Sequence, residues 1–141
     1  MENGTSNTNL PASLSRRTTI AGVVVALSTA AYGQADGDAV TLDFARKALD
    51  TGAATVIDLR EPQEHVTGVA KGVQLLPMRQ LGARISEIPR DQNKPVLLIC
   101  NTQNRSSATL KLLREKGYSN VRFVLGGMSE WNKRGWPMVK P

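Results

Sequence analysis

A chain of 141 residues, 40% of them apolar, can bury one ordinary core and argues against a second folded domain. Its net charge of +6 favours anionic small molecules or acidic partners. The Lys and Arg residues are scattered rather than gathered into a run, which argues for a solvated surface and against a nucleic-acid face. One cysteine and one histidine exclude an internal disulfide and make a poor metal site. The fold must therefore rest on packing, Cys100 is free, and no metal or cofactor is implied.

The first stretch, residues 1–35, reads as a targeting segment. Met1 to Leu14 is polar, Arg16 and Arg17 follow, and an apolar run of about a dozen residues extends from Ile20 to Ala31. That order is an n-region followed by an h-region. The run is shorter than the roughly 20 residues of a spanning helix, so a cleaved signal fits better than an anchor. Small residues offer cleavage near Gly33 to Ala35. SRRTTI resembles a twin-arginine export signal, although Thr19 stands where a Phe is usual. The expectation is a periplasmic protein that meets the membrane only during export, with residues 36–141 forming one domain.

Beyond Asp38 the pattern is α/β. Thr41 is placed to cap a helix through Leu42, Ala45, Ala48 and Leu49, with Asp43 in its first turn and Gly52 beyond its end. Ala54 to Leu59 is a β-branched, apolar run that suits a strand covered on both faces. Pro62 suits the first turn of a short helix through Val66. Val73 to Leu76 is a weak strand closed by Pro77, and Gln80 to Ile88 reads as a helix stopped by Pro89. Val96 to Ile99 is the clearest strand. It leads into Cys100, a polar loop, and a helix from Ser106 to Lys116 whose buried side is expected to carry Ala108, Leu112 and Leu113. A final strand, Val121 to Leu125, runs through Gly126 and Gly127 to a short helix with Trp131. Alternating strands and helices predict a single, mostly parallel sheet with helices on both faces.

Cys100 closes a central strand, where open α/β sheets bind their ligands. The loop Asn101 to Asn104 and the following helix start can aim backbone N–H groups at the sulfur as an anion-binding nest. A free thiol has a pKa near 8.5, and a helix N-terminus can lower it. The alternative is a cysteine that only fills the core. CNTQNRSS speaks against that, since its polar residues leave nothing apolar to pack around the sulfur.

Three segments together resemble the rhodanese-like domain, from about Val40 to Val139: VIDLREPQEH at Val56 to His65, CNTQNRS at Cys100 to Ser106, and GYSNVRFVLGGMSEW at Gly117 to Trp131. The resemblance implies a compact α/β fold and a Cys100 that carries sulfane sulfur as a persulfide. Asp58 and Arg60 are then expected to organise the loop after the second strand. The loop from Cys100 to Arg105 has the six-residue length of sulfur-handling members. The longer loop of related phosphatases would end on Ser106, which cannot clamp an oxyanion as a guanidinium does. Two positions depart from the common pattern. Gly68 to Val73 replaces Gly-His-x-Pro-Gly-Ala, and Gln103 replaces a glycine.

The implied activity is thiosulfate sulfurtransfer by double displacement. Cys100 is the expected nucleophile. Arg105 is the candidate for attracting the anionic donor, or else an ion-paired structural residue, with Glu130 as a partner. Asn101, Thr102, Gln103, Asn104 and Ser106 would bind substrate, the loop residues chiefly through backbone donors. The donor would be thiosulfate-like and the acceptor cyanide or a thiol. A different class is a sulfur-relay or binding module that passes persulfide sulfur to a protein partner. Trp131 and Trp136 are read as packing residues.

Overall fold

A computed structural model describes residues 37–141, so the segment read as a signal lies outside the described residues. Five strands, β1 (Ala39–Val40), β2 (Thr55–Asp58), β3 (Gln74–Leu75), β4 (Val96–Ile99) and β5 (Val121–Val124), form one sheet in the order β1-β5-β4-β2-β3. Every pairing between them is parallel. All five carboxyl ends therefore emerge at one edge, and Asp58, Cys100 and Gly126 arise there together.

Both faces are covered, because the apolar run of β4 supplies side chains to each in alternation. Val96 and Leu98 join Ile57, Leu76, Ile88, Leu110 and Leu113 in one core cluster. Leu97 and Ile99 join Val40, Val56, Leu42, Ala45, Met128 and Trp131 in the other. The helices α1 (Leu42–Thr51) and α5 (Gly127–Lys133) lie over the second cluster, and α4 (Asn104–Glu115) lies over the first.

The caps of α1 are those expected. Thr41 accepts a hydrogen bond from the Phe44 N–H at 3.2 Å, and Gly52 closes the helix with φ of 72°. The short α2 (Pro62–His65) opens on Pro62 and is stapled by Glu64, whose carboxylate accepts from the Glu61 N–H at 2.8 Å. Trp131 is buried and donates through Nε1 to the Pro137 carbonyl at 3.0 Å. Trp136 packs edge-to-face on it with centroids 4.9 Å apart. Both serve packing.

Two helices differ from expectation. The segment Gln80 to Ile88 is a 3₁₀ turn at Met78–Gln80, a four-residue α3 (Leu81–Arg84) and a second 3₁₀ turn at Ile85–Glu87. The backbone leaves helical geometry at Arg84, with φ of −117°. Its side chain turns back to the Leu75 carbonyl of β3 at 3.1 Å and to Glu87 at 2.6 Å. Helix α4 begins two residues earlier than expected, and its buried side carries Ser106, Thr109, Leu110 and Leu113, while Ala108 and Leu112 are exposed. Two apolar phases compete in this helix. The sheet takes the one that puts Ser106 beneath the strand end and Leu110 and Leu113 into the core.

Candidate active site

Cys100 follows the last residue of β4 and has 1% of its surface exposed. This corrects the expectation that nothing apolar surrounds the sulfur. Strand alternation sends the side chain to the same face as Leu98, into a buried apolar cluster that also holds Ile57, Leu59 and Leu76. The thiol donates to Ser106 Oγ at 3.5 Å, and the Ser106 hydroxyl donates in turn to the Gln103 carbonyl at 3.1 Å. Ser106 is itself fully buried.

The loop is shorter than expected, because Asn104 and Arg105 belong to the first turn of α4. Asn101, Thr102 and Gln103 form its exposed part. Its backbone is held against the start of α5. Met128 N–H donates to the Cys100 carbonyl and Ser129 N–H to that of Asn101, each at 2.8 Å. Gly127, with φ of +60°, lies so close that a Cβ there would run into the carbonyls of Cys100, Asn101 and Thr102. In a trans peptide the N–H points opposite to the preceding carbonyl. With the Cys100 and Asn101 carbonyls turned onto α5, the N–H groups of Asn101 and Thr102 point the other way. The first N–H groups of α4 have no partner within that helix, so the loop and the helix start together provide a set of backbone donors.

Gln103, at the common glycine position, has φ of −156° and needs no left-handed backbone. Its Oε1 accepts from the Gly126 N–H at 3.3 Å, tying the loop to the glycine pair.

On the other side the loop meets α2 through charge. Both terminal nitrogens of Arg105 donate to the Glu64 carboxylate, at 2.7 and 2.8 Å. This corrects the Glu130 pairing: Glu130 lies instead on α5 beside Arg134, at 3.4 Å. The Arg105 hydrogen bonds hold the Glu64 pKa down at about 2, against the opposing cost of burial, with further help from the Glu61 N–H and the charges of Arg105 and Arg60. Glu64 in turn raises the Arg105 pKa, with smaller pulls from the charges of Cys100 and Glu61.

Beneath this pair lies a second one. Asp58, fully buried at the end of β2, accepts from the Arg60 N–H and guanidinium at 2.8–3.2 Å. Arg60 continues to the Gly68 carbonyl at 2.9 Å. His65 is also buried, with Nε2 3.3 Å from Asp58 Oδ1 but out of hydrogen-bond alignment. The divergent Gly68 to Val73 segment is pinned by the chain's end, since Val69 and Val139 exchange two backbone hydrogen bonds of 2.8 Å.

Glu64 and His65 were missed as site residues by sequence reasoning. Glu61-x-x-Glu64 ahead of a short helix is the spacing of a capping box, and it was the available signal for Glu64. No group of three or more His, Cys, Asp or Glu side chains fit to hold a metal occurs among the described residues, and no described helix is long and apolar enough to cross a membrane.

The model of the rhodanese-like domain matches residues 41–134. The chain belongs to the rhodanese-like domain family. A sulfurtransferase of Allochromatium vinosum is 32% identical over 98 residues, covering 70% of this chain and 90% of the relative. The uncharacterized protein YqhL of Bacillus subtilis is 37% identical over 78 residues, 55% of this chain and 60% of the relative. The crystal structure of a rhodanese-related protein from Thermoplasma volcanium superposes with a TM-score of 0.65 at 29% identity, covering 73% of this chain and 98% of that one. The five-stranded parallel sheet is thus the rhodanese-like architecture, and the matched region contains both Cys100 and its charged neighbours.

Proposed function

We propose that this rhodanese-like domain is a sulfurtransferase in which Cys100 carries the transferred sulfur. The observation that carries the reading is the loop backbone: its carbonyls are turned onto α5, leaving N–H groups to hold an anionic sulfur at the head of α4. The Cys100 thiolate attacks the outer sulfur of thiosulfate or a similar donor. A new S–S bond forms, the donor's own S–S bond breaks, and its electron pair leaves on sulfite. The persulfide anion is then stabilised by the loop N–H groups, and cyanide or a thiol removes the outer sulfur to regenerate the thiolate. Asn101, Thr102, Gln103 and Asn104 act through their backbone, and Arg105, paired with Glu64, flanks the loop. The family match and the sulfurtransferase relative support this reading.

The test is intact mass of the chain from Asp36 onward after incubation with thiosulfate. The expected result is a gain of one sulfur, reversed by cyanide and absent from Cys100→Ser. No gain in the unmodified protein removes thiosulfate as donor. Arg105→Ala is expected to lower kcat/KM for thiosulfate about tenfold, because it leaves the Glu64 carboxylate without its counter-charge beside the loop. The reading includes export, motivated by Arg16, Arg17 and the apolar run behind them. Periplasmic recovery from a bacterial host should be lost on replacing both arginines by lysine if the twin-arginine route is used, and cytoplasmic retention of the unaltered chain would remove export.

A further inference from the structure

Arg105 is the cation that follows the loop, directly before the Ser106 that touches the sulfur, yet its charge is already answered. Its two terminal nitrogens grip Glu64 in a bidentate fork at 2.7 and 2.8 Å, the geometry in which guanidinium and carboxylate match best. Glu64 is itself held from behind by the Glu61 N–H at 2.8 Å. With its pKa at about 2, Glu64 stays ionised throughout the neutral range. The other charges felt at the pair are those of Arg60, Cys100 and Glu61; Arg60 and Glu61 are of opposite sign, and a Cys100 thiolate adds negative charge. What remains to attract a donor is the set of backbone dipoles at the head of α4, equivalent to about half a positive charge.

We propose that Glu64 sets the charge of the sulfur donor, making the site select monoanionic sulfane donors, such as thiosulfonates and persulfides, over dianionic thiosulfate. The inference rests on the sulfur-transfer reading and narrows it. A dianion brings a second negative charge that the helix dipole does not balance. It must either sit near the Glu64 carboxylate or draw Arg105 away and strand that carboxylate in a half-buried position. A monoanion needs neither. The chemistry is the same for both classes: the Cys100 thiolate bonds to the terminal sulfur of RSO₂–S⁻, that sulfur's bond to the sulfonyl group breaks, and RSO₂⁻ departs with the electron pair. One thiolate and one monoanion give one persulfide anion and one sulfinate.

The experiment compares thiosulfate with methanethiosulfonate, a near-isostere carrying one charge fewer, by kcat/KM with cyanide as acceptor. Intrinsic donor reactivity cancels when the ratio of the two constants is compared between variants. Glu64→Gln should move the ratio toward thiosulfate by about fivefold, the scale of one unit charge several ångströms away in a partly wet site. Glu64→Asp, which keeps the charge, should hold the original ratio within about twofold. Arg105→Gln, which bares Glu64, should move the ratio against thiosulfate. A general loss of order lowers both constants and leaves the ratio alone.

The proposal is overturned if Glu64→Gln leaves the ratio unmoved, or if Glu64→Asp shifts it as Glu64→Gln does. Should Glu64→Gln not fold, Arg105→Gln decides alone, and an unmoved ratio overturns the proposal. If neither donor adds sulfur to Cys100 in the unmodified protein, the sulfur-transfer reading falls and this inference with it. If both donors load Cys100 and the ratio ignores Glu64, the reading stands and this inference alone falls.

Discussion

The loop after Cys100 is gripped on two sides by different means. Toward α5 the grip is backbone on backbone: two N–H···O bonds of 2.8 Å and a glycine pressed against three carbonyls. Toward α2 the grip is made of charged side chains, graded from the fully buried Asp58 with Arg60 to the half-exposed Glu64 with Arg105. Backbone contacts tolerate little substitution, and neither pH nor salt reaches them. Side-chain ion pairs near water are weaker and answer to both. One side fixes where the sulfur is held, and the other can adjust how charged its surroundings are.

The largest effect should come from the α5 side. Gly127→Ala must place a methyl group among carbonyls of Cys100, Asn101 and Thr102 at φ of +60°. Overpacking together with a left-handed alanine should cost about 4 kcal/mol, read as a shift in denaturant midpoint. A cost below about 1 kcal/mol would show that this grip is loose. Next comes the buried layer of the α2 side. Arg60→Ala strands Asp58 without its fork and should cost about 3 kcal/mol by the same measurement. A neutral result would mean that His65 or water replaces the guanidinium.

The half-exposed layer should contribute less and should titrate. The Glu64 pKa is lowered from an ordinary 4.5 to about 2, so its stabilisation is complete above about pH 5 and is lost as pH falls toward 2. After screening, that loss should be about 1 kcal/mol. It should be missing from Glu64→Gln when the two proteins are unfolded by urea across this range, and parallel curves would remove Glu64 from the linkage. The smallest effect belongs to Gln103→Gly, which deletes one exposed side-chain bond to the Gly126 N–H. About 0.5 kcal/mol is expected, and more than about 2 kcal/mol would make the amide a structural strut.

Much of this was legible in the sequence where local rules decide. Thr41 and Gly52 bracket α1 as capping chemistry requires, and the unbroken apolar run Val96 to Ile99 announces a central strand. The same alternation puts Cys100 on the face of Leu98, but the polar residues after it carry no signal of its burial. Helix α4 starts without a local signal, because its N-cap, Gln103, is not a preferred capping residue. The nine residues from Gln80 to Ile88 hold apolar groups at helical spacing, whereas the break at Arg84 accompanies a hydrogen bond from its side chain to the Leu75 carbonyl of β3. The partner of Arg105 lies 41 positions away and becomes its neighbour only because β2 and β4 pair. Glu130 was nearer in the chain, but it falls on α5, four residues before Arg134, which takes it at i+4 spacing.

Since the loop is fastened by its carbonyls, the side chains of Asn101 and Thr102 remain exposed at the mouth without being part of the fastening. That makes the two positions a cassette. Identities there can be exchanged while the scaffold beneath is left untouched, and variation can accumulate in this rim without endangering the fold around Cys100.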